Sequence, residues 1–307
     1  MRIIFTGSGE FGVPTLAALI DAGHTIFPYT QPARAAGRGR KLTLTPVAEY
    51  ALSRGLSPIE TGDINGEELP AADAMIVIAF GQKIAPEAAN HPRLGSMNLH
   101  ASLLPKYRGA APINWAILNG EGKTGNSIIR LAARMDAGAI LAQKALPIGE
   151  TETAGELHDR LAADGVSLVL KVLSDLESNQ AVEDPQDDSR ATSAPKLSRQ
   201  STLLDLNRPA AEIARKIRGL YPWPGCRVQL LDAAGGEIDR LTLARARFAE
   251  GEGPRWNPGE VTIHGHVAAA VDCVDILELQ PDGKRAMSLA DYRRGNPWMP
   301  GMKLASI

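Results

Sequence analysis

Only two of the 307 residues are cysteine, Cys226 and Cys273. That excludes a disulfide framework and leaves no Cys/His spacing for a zinc site, so no metal is expected and thiols suit a cytoplasmic protein. No apolar run reaches the ~18 residues of a membrane span. The chain starts Met1-Arg2-Ile3-Ile4-Phe5, straight into a strand-like run, and lacks the long apolar stretch and small-residue cleavage site of a secretory signal. Nor is there a surplus of positive charge: the formal net charge is −2, which argues against a general nucleic-acid binder, and DNA is not an expected partner. A local absence is more telling. Residues 22–48 contain Arg34, Arg38, Arg40 and Lys41 and no acid, so any polyanion contact should be local.

In the first half, short apolar runs alternate with helical patterns. Residues 2–6, 25–30, 74–80 and 96–100 read as strands, and 11–22 and 46–54 as helices, the second with Pro46 in its first turn. Residues 74–80, Ala-Met-Ile-Val-Ile-Ala-Phe, are apolar on both faces, as a central parallel strand should be. The rhythm implies an α/β fold with a doubly wound, mainly parallel sheet. Residues 126–132 and 140–146 read as further strands, and about 153–177 as a helix. Residues 178–205 turn polar and loop-like. We expect one domain over 1–185, a linker over 186–205 and a second domain over 206–307. In the last, residues 209–220 form an amphipathic helix. Short runs follow at 227–231, 240–246, 259–263, 267–271 and 276–279, separated by Gly, Pro and Asp, which suggests a small β-barrel or sandwich.

Two features point to chemistry. Gly7-Ser8-Gly9-Glu10-Phe11-Gly12 has the G-x-G-x-x-G spacing of a dinucleotide turn. The acid that should follow ~20 residues on is missing, because the second strand ends Tyr29-Thr30-Gln31, so a tight strand–helix turn explains it as well. The second feature is Asn98 and His100, two apart on a strand and therefore on one face, at the carboxyl end where open α/β sheets hold their sites. Polar residues at a strand end are also common. Asp136, next to Gly138, reads as a loop residue or an ordinary turn aspartate. Together Asn, His and Asp suit acyl transfer: an amide and an imidazole can hold an oxyanion, and a carboxylate can orient the imidazole and favour its charged form.

Asn98-Leu99-His100, then Ser102-Leu103-Leu104-Pro105, then Asp136-x-Gly138 resembles the signature of the 10-formyltetrahydrofolate-dependent formyltransferases. Gly37-Arg38-Gly39-Arg40-Lys41-Leu42 with Thr45-Pro46-Val47 resembles the insertion loop of the branch that formylates methionyl-tRNA, as do Gly109-Ala110-Ala111-Pro112-Ile113, Ala194-Pro195-Lys196-Leu197 and Pro222-Trp223-Pro224-Gly225. The motifs spread over nearly the whole chain. The first turn departs from the family's Ala-Gly-Thr-Pro-x-Phe. The resemblance implies a Rossmann-like catalytic domain followed by an OB-like barrel, in a monomer. It implies Asn98, His100 and Asp136 as catalytic residues, with 10-formyltetrahydrofolate as formyl donor. Phe80, Gly81, Gln82, Ile84, Ser102, Leu103, Leu104 and Pro105 would form the folate pocket. The implied partner is initiator methionyl-tRNA, for translation initiation. Arg34, Arg38, Arg40 and Lys41 would grip its phosphates, with Arg215, Lys216 and Arg218 as a second basic patch. A related branch, acting on amino-sugar nucleotides, is the alternative, since Pro112-Ile113-Asn114-Trp115 resembles it too.

Overall fold

A computed structural model describes residues 1–36, 41–251 and 256–307. In chain order the elements begin with β1 (Arg2–Gly7), α1 (Val13–Asp21), β2 (Thr25–Thr30), β3 (Arg34–Ala36), β4 (Lys41–Thr43), α2 (Pro46–Ser53) and β5 (Ile59–Glu60). They continue with β6 (Ala74–Ile78), α3 (Pro86–Ala89), β7 (Ser96–His100), α4 (Pro112–Leu118), β8 (Lys123–Arg130), β9 (Ile140–Pro147) and α5 (Ala154–Glu177). Then come α6 (Ala210–Gly219), β10 (Cys226–Leu231), β11 (Glu237–Ala249), β12 (Val267–Ala268), β13 (Cys273–Pro281), β14 (Met287–Ser288), α7 (Leu289–Tyr292) and β15 (Lys303–Ser306). Two compact units result. One comprises Met1–Gly109, Thr124–Leu146 and His158–Ser193; the other comprises Ala110–Lys123, Pro147–Leu157 and Ala194–Ile307.

The first unit is built on a sheet of order β5-β2-β1-β6-β7-β8-β9. Strands β5, β2, β1, β6 and β7 pair in parallel, and β8 runs antiparallel to β7. All five residues of β6 are buried, as a strand apolar on both faces requires. It stops at Ile78 rather than at Phe80, because Ala79 (φ 47°) and Gly81 (φ 76°) turn the backbone into the left-handed region. Helix α2 starts where its sequence says: Thr45 caps it by accepting from the N–H of Ala48 at 3.1 Å, and Pro46 follows.

The second unit holds a mainly antiparallel sheet of order β12-β13-β11-β10-β15, with β14 on β13. Residues 260 and 261 nearly close it into a barrel, Glu260 bridging to Lys303 and Val261 to Val267 on the two edge strands. The expected strand over 259–263 makes only these bridges, since Pro258 lacks a donor and Gly259 turns at φ 92°. The run over 267–271 is a strand only to Ala268; the N–H of Ala269 turns back to the carbonyl of Asp272. Ile213, Ala214 and Ile217 of α6, with Leu220 just after it, enter the core with Val228, Leu241, Ile276 and Leu304. Helix α4, unforeseen in the sequence, joins this unit, with Asn114 donating to the carbonyl of Gly219 at 2.8 Å. Both cysteines are buried and form no disulfide. Among the described residues, no helix is long and apolar enough to cross a membrane and no three metal-ligating side chains cluster.

Candidate active site

Asn98 and His100 stand on one side of β7, with the buried Leu99 between them facing the other way. Asp136 reaches both. Its Oδ1 accepts from Asn98 Nδ2 at 3.5 Å, and its Oδ2 lies 3.7 Å from His100 Nδ1. The N–H of Gly109 also donates to Oδ2, at 2.8 Å. On the far side of the ring, His100 Nε2 is 2.9 Å from the carbonyl oxygen of Tyr107. A carbonyl only accepts, so that nitrogen carries hydrogen and Nδ1 is left to face Asp136. His100 is only 6% exposed, whereas Asn98 and Asp136 are half-buried.

The loop geometry that assembles this cluster is strained. Asp136 sits at φ 52° and Tyr107 at φ 63°, a region that non-glycine residues seldom occupy. The Tyr107 turn aims its carbonyl at His100, and the Asp136 turn aims the carboxylate at the same ring. Such outliers persist only where surrounding contacts hold them, and they concentrate at functional sites.

The expected folate residues divide into supports and walls. Ser102 is fully buried and donates to the carbonyl of Lys106 at 2.6 Å, while its own carbonyl accepts from Ser127 Oγ at 2.6 Å. The N–H of Leu104 donates to Ser127 Oγ, and Gln143 donates to the carbonyl of Leu104. Phe80 is core, packed with Ile4, Tyr29 and Met75, and its carbonyl accepts from Gln31 at 2.8 Å. Gln82 is a strut: its Oε1 accepts from the N–H of Ile64, and its Nε2 donates to the carbonyl of Thr61. Ser102, Phe80 and Gln82 thus shape their loops, and their side chains are already engaged. Gly81 is exposed; Leu103, Pro105 and Ile84 are partly exposed apolar groups. These four leave surface open to a ligand.

The basic candidates fare unevenly. Arg34 is exposed on β3, which pairs with β4 as a two-stranded ribbon starting at Lys41. Arg38 and Arg40 lie outside the described residues. The acid-free run does meet an acid in space, because Glu60 accepts from the N–H of Ala33 at 2.6 Å. In the second unit the three residues of the expected patch are placed differently. Arg218 is 8% exposed and donates inward to the carbonyl of Glu152 at 2.8 Å, and burial pulls its pKa down. Helical periodicity puts Arg218 one turn after the buried Ala214, on the core side, which composition alone concealed. Lys216 is tied to the carbonyl of Leu203, and Arg215 lies half-buried against Gly120.

The expected linker begins within the first unit. Residues 186–193 belong to the first unit, since the N–H of Arg108 donates to the carbonyl of Thr192, and the N–H of Tyr107 to Thr192 Oγ1, both at 2.9 Å. Gln186 and Arg108 therefore lie beside the Asp136 loop. Sequence reasoning passed over both, because a glutamine in a polar stretch carries no periodicity that would mark it.

Two family models match the chain: formyl transferase over residues 1–173, and formyl transferase, C-terminal domain, over residues 196–297. The chain is 40% identical over 318 residues to the methionyl-tRNA formyltransferase of Acidobacterium capsulatum, covering 100% of both. It is 40% identical to that of Alcanivorax borkumensis, across 97% of this chain and 92% of the relative. Among solved structures, the sugar 3N-formyl transferase WlaRD, in the presence of dTDP and 5-N-formyl-THF, aligns with a TM-score of 0.65 at 18% identity. That alignment covers 93% of this chain and 99% of the other.

Proposed function

The chain belongs to the formyltransferase family, and from that premise we propose that it transfers the formyl group of 10-formyltetrahydrofolate to the α-amino group of initiator methionyl-tRNA. The full-length match to methionyl-tRNA formyltransferases, 40% identical across both domains, carries this reading. The likeness to a sugar formyl transferase, at 18% identity, speaks for a shared fold and not for a sugar substrate. The enzyme acts in the cytoplasm, on the tRNA that starts translation.

The amine attacks the formyl carbon, forming the new C–N bond and an oxyanion. The bond from that carbon to the folate nitrogen then breaks, and the nitrogen takes up the proton the amine gives away. An α-amino group has a pKa of about 7.7–8.0, and an aminoacyl ester lowers it, so much of the amine is already neutral and a strong base is not required. In this reading Asn98 Nδ2 and the N–H at His100 Nδ1 donate to the oxyanion. The Tyr107 carbonyl supports the role of His100 by occupying Nε2, which leaves the Nδ1 edge for substrate and for Asp136. Asp136 stabilises the charged imidazole and conveys the proton toward the departing nitrogen. Leu103, Ile84 and Pro105 suit the flat faces of a pterin.

Incubating the protein with 10-formyltetrahydrofolate and charged initiator tRNA, then weighing the released amino acid, tests the proposal. A formyl increment on methionine is expected. Unmodified methionine alongside unchanged folate would sink it.

A further inference from the structure

The segment after α5 does more than connect. Gln186 donates from Nε2 to the carbonyl oxygens of both Asp136 and Gly138, at 2.8 Å each. Its Oε1 accepts from Arg108, from Nε at 3.0 Å and from Nη2 at 2.7 Å. The orientation of the amide is unambiguous: carbonyls cannot donate and a guanidinium cannot accept, so its two ends cannot be exchanged. Arg108 is anchored in turn by Asp188 at 2.8 Å, and Asp188 also pairs with Arg134 in the Asp136 loop. Hydrogen bonds from Arg134 and Arg108 hold the Asp188 carboxyl at about 2, so this anchor stays charged. Two backbone bonds between Ile140 and Asp184, at 2.8 and 2.9 Å, fasten the far end of the loop to the same segment.

The consequence concerns the carboxylate. Asp136 is in the left-handed region, and one amide grips the carbonyls on both sides of Ala137. A loop held this way fixes the direction of the Asp136 Cα–Cβ bond, from which the carboxylate reaches His100 and Asn98. We propose that Gln186 is a positioning residue for formyl transfer, holding the Asp136 backbone so that its carboxylate stays on His100 and Asn98. This rests on the function proposed above. Gln186 touches no reacting atom and acts through Asp136.

Gln186→Glu and Gln186→Ala separate this role from simple packing. The glutamate keeps the size of the side chain and the acceptor for Arg108, but it lacks both N–H donors. Each variant is expected to lower kcat by up to about 100-fold, the loss that a ~1 Å misplacement in a catalytic site can cause. The KM for 10-formyltetrahydrofolate should stay within about twofold. In an Asp136→Asn background, single-turnover rates should show no further loss from Gln186→Glu, since a group acting through Asp136 has nothing left to aim. If Gln186→Ala fails to fold, the isosteric Gln186→Glu decides alone. Near-normal kcat in Gln186→Glu would reduce Gln186 to a strut for Arg108 and overturn the inference. A full further loss on top of Asp136→Asn would overturn it too. An inactive wild-type protein would instead count against the formyl-transfer function.

Discussion

The carboxylate of Asp136 lies 3.7 Å from Nδ1 of His100, across a gap of 36 residues in sequence, and the N–H of Gly109 donates to the same oxygen at 2.8 Å. The carboxylate thus lies between a backbone donor and the His100 ring. Removing either side of the His100–Asp136 pair should therefore be felt in the chemistry more than in the fold. His100→Ala and Asp136→Ala are each expected to lose most of kcat. Asn98→Ala, if it removes one oxyanion donor of two, should cost about 10²–10³ in kcat, or roughly 3–4 kcal/mol. Rapid-quench formylation assays check all three, and near-normal turnover in either the His100 or the Asp136 variant would refute the assignment.

Gly138 makes a sharper test of how the loop is built. A Cβ there would stand 1.9 Å from the carbonyl oxygen of Arg130 and 2.8 Å from its carbon, and both are backbone atoms that cannot swing aside. Gly138→Ala should force the loop away from β8 and weaken the bond from the N–H of Arg130 to the carbonyl of Ala139. Overpacking of this kind costs about 1–3 kcal/mol, and displacing a catalytic group by ~1 Å can cost ~10² in rate. A melting curve beside a turnover measurement checks both. Unchanged values in both would mean that the loop has slack.

The basic residues between 34 and 41 and the buried arginine should respond differently. Replacing Arg38, Arg40 and Lys41 with Ala is expected to raise KM for tRNA. It should also flatten the salt dependence of binding by roughly 0.7–0.9 for each phosphate left without its cation, with KM for folate unmoved. Arg218→Ala should leave the salt slope alone and lower Tm, since its guanidinium serves the carbonyl of Glu152. Salt titrations on the two variants check the contrast. The reverse pattern would place the phosphate grip on α6.

The ion pair between Arg245 and Glu156 predicts a pH signature. Hydrogen bonds from Arg245 hold the Glu156 carboxyl at about 2, well below its ordinary value. A depressed carboxyl stabilises the fold above its ordinary pKa and loses that contribution as pH falls toward 2. Arg245→Gln should therefore melt below the wild type near neutral pH, and the difference should shrink between about pH 4.5 and 2. Both heads are partly hydrated, so the effect should be on the order of 1 kcal/mol or less. Calorimetry across that range checks it, and a pH-independent difference would assign the loss to the remaining Arg245 bonds, to the carbonyl of Thr151 and to Glu278, rather than to Glu156.

What the sequence determined on its own was local or repeated. The all-apolar run of β6, the Thr45–Pro46 start of α2 and the Asn98/His100 pairing on one face of β7 each depend on neighbours a few residues away. Periodicity and capping report such neighbours directly. Asn98, His100 and Asp136 could be named because each sits in a short string, and the structure brings their three side chains together. Tertiary structure alone decided which side chains are already engaged. The side chains of Phe80, Gln82 and Ser102 are engaged within their own loops, and that of Arg218 turns inward to the carbonyl of Glu152. It alone also joined Gln186 to Asp136, 50 residues apart. The reason is physical: a hydrogen bond between distant segments leaves no period in the chain, and an amide or a guanidinium reads the same whether its partner is a ligand or a backbone carbonyl.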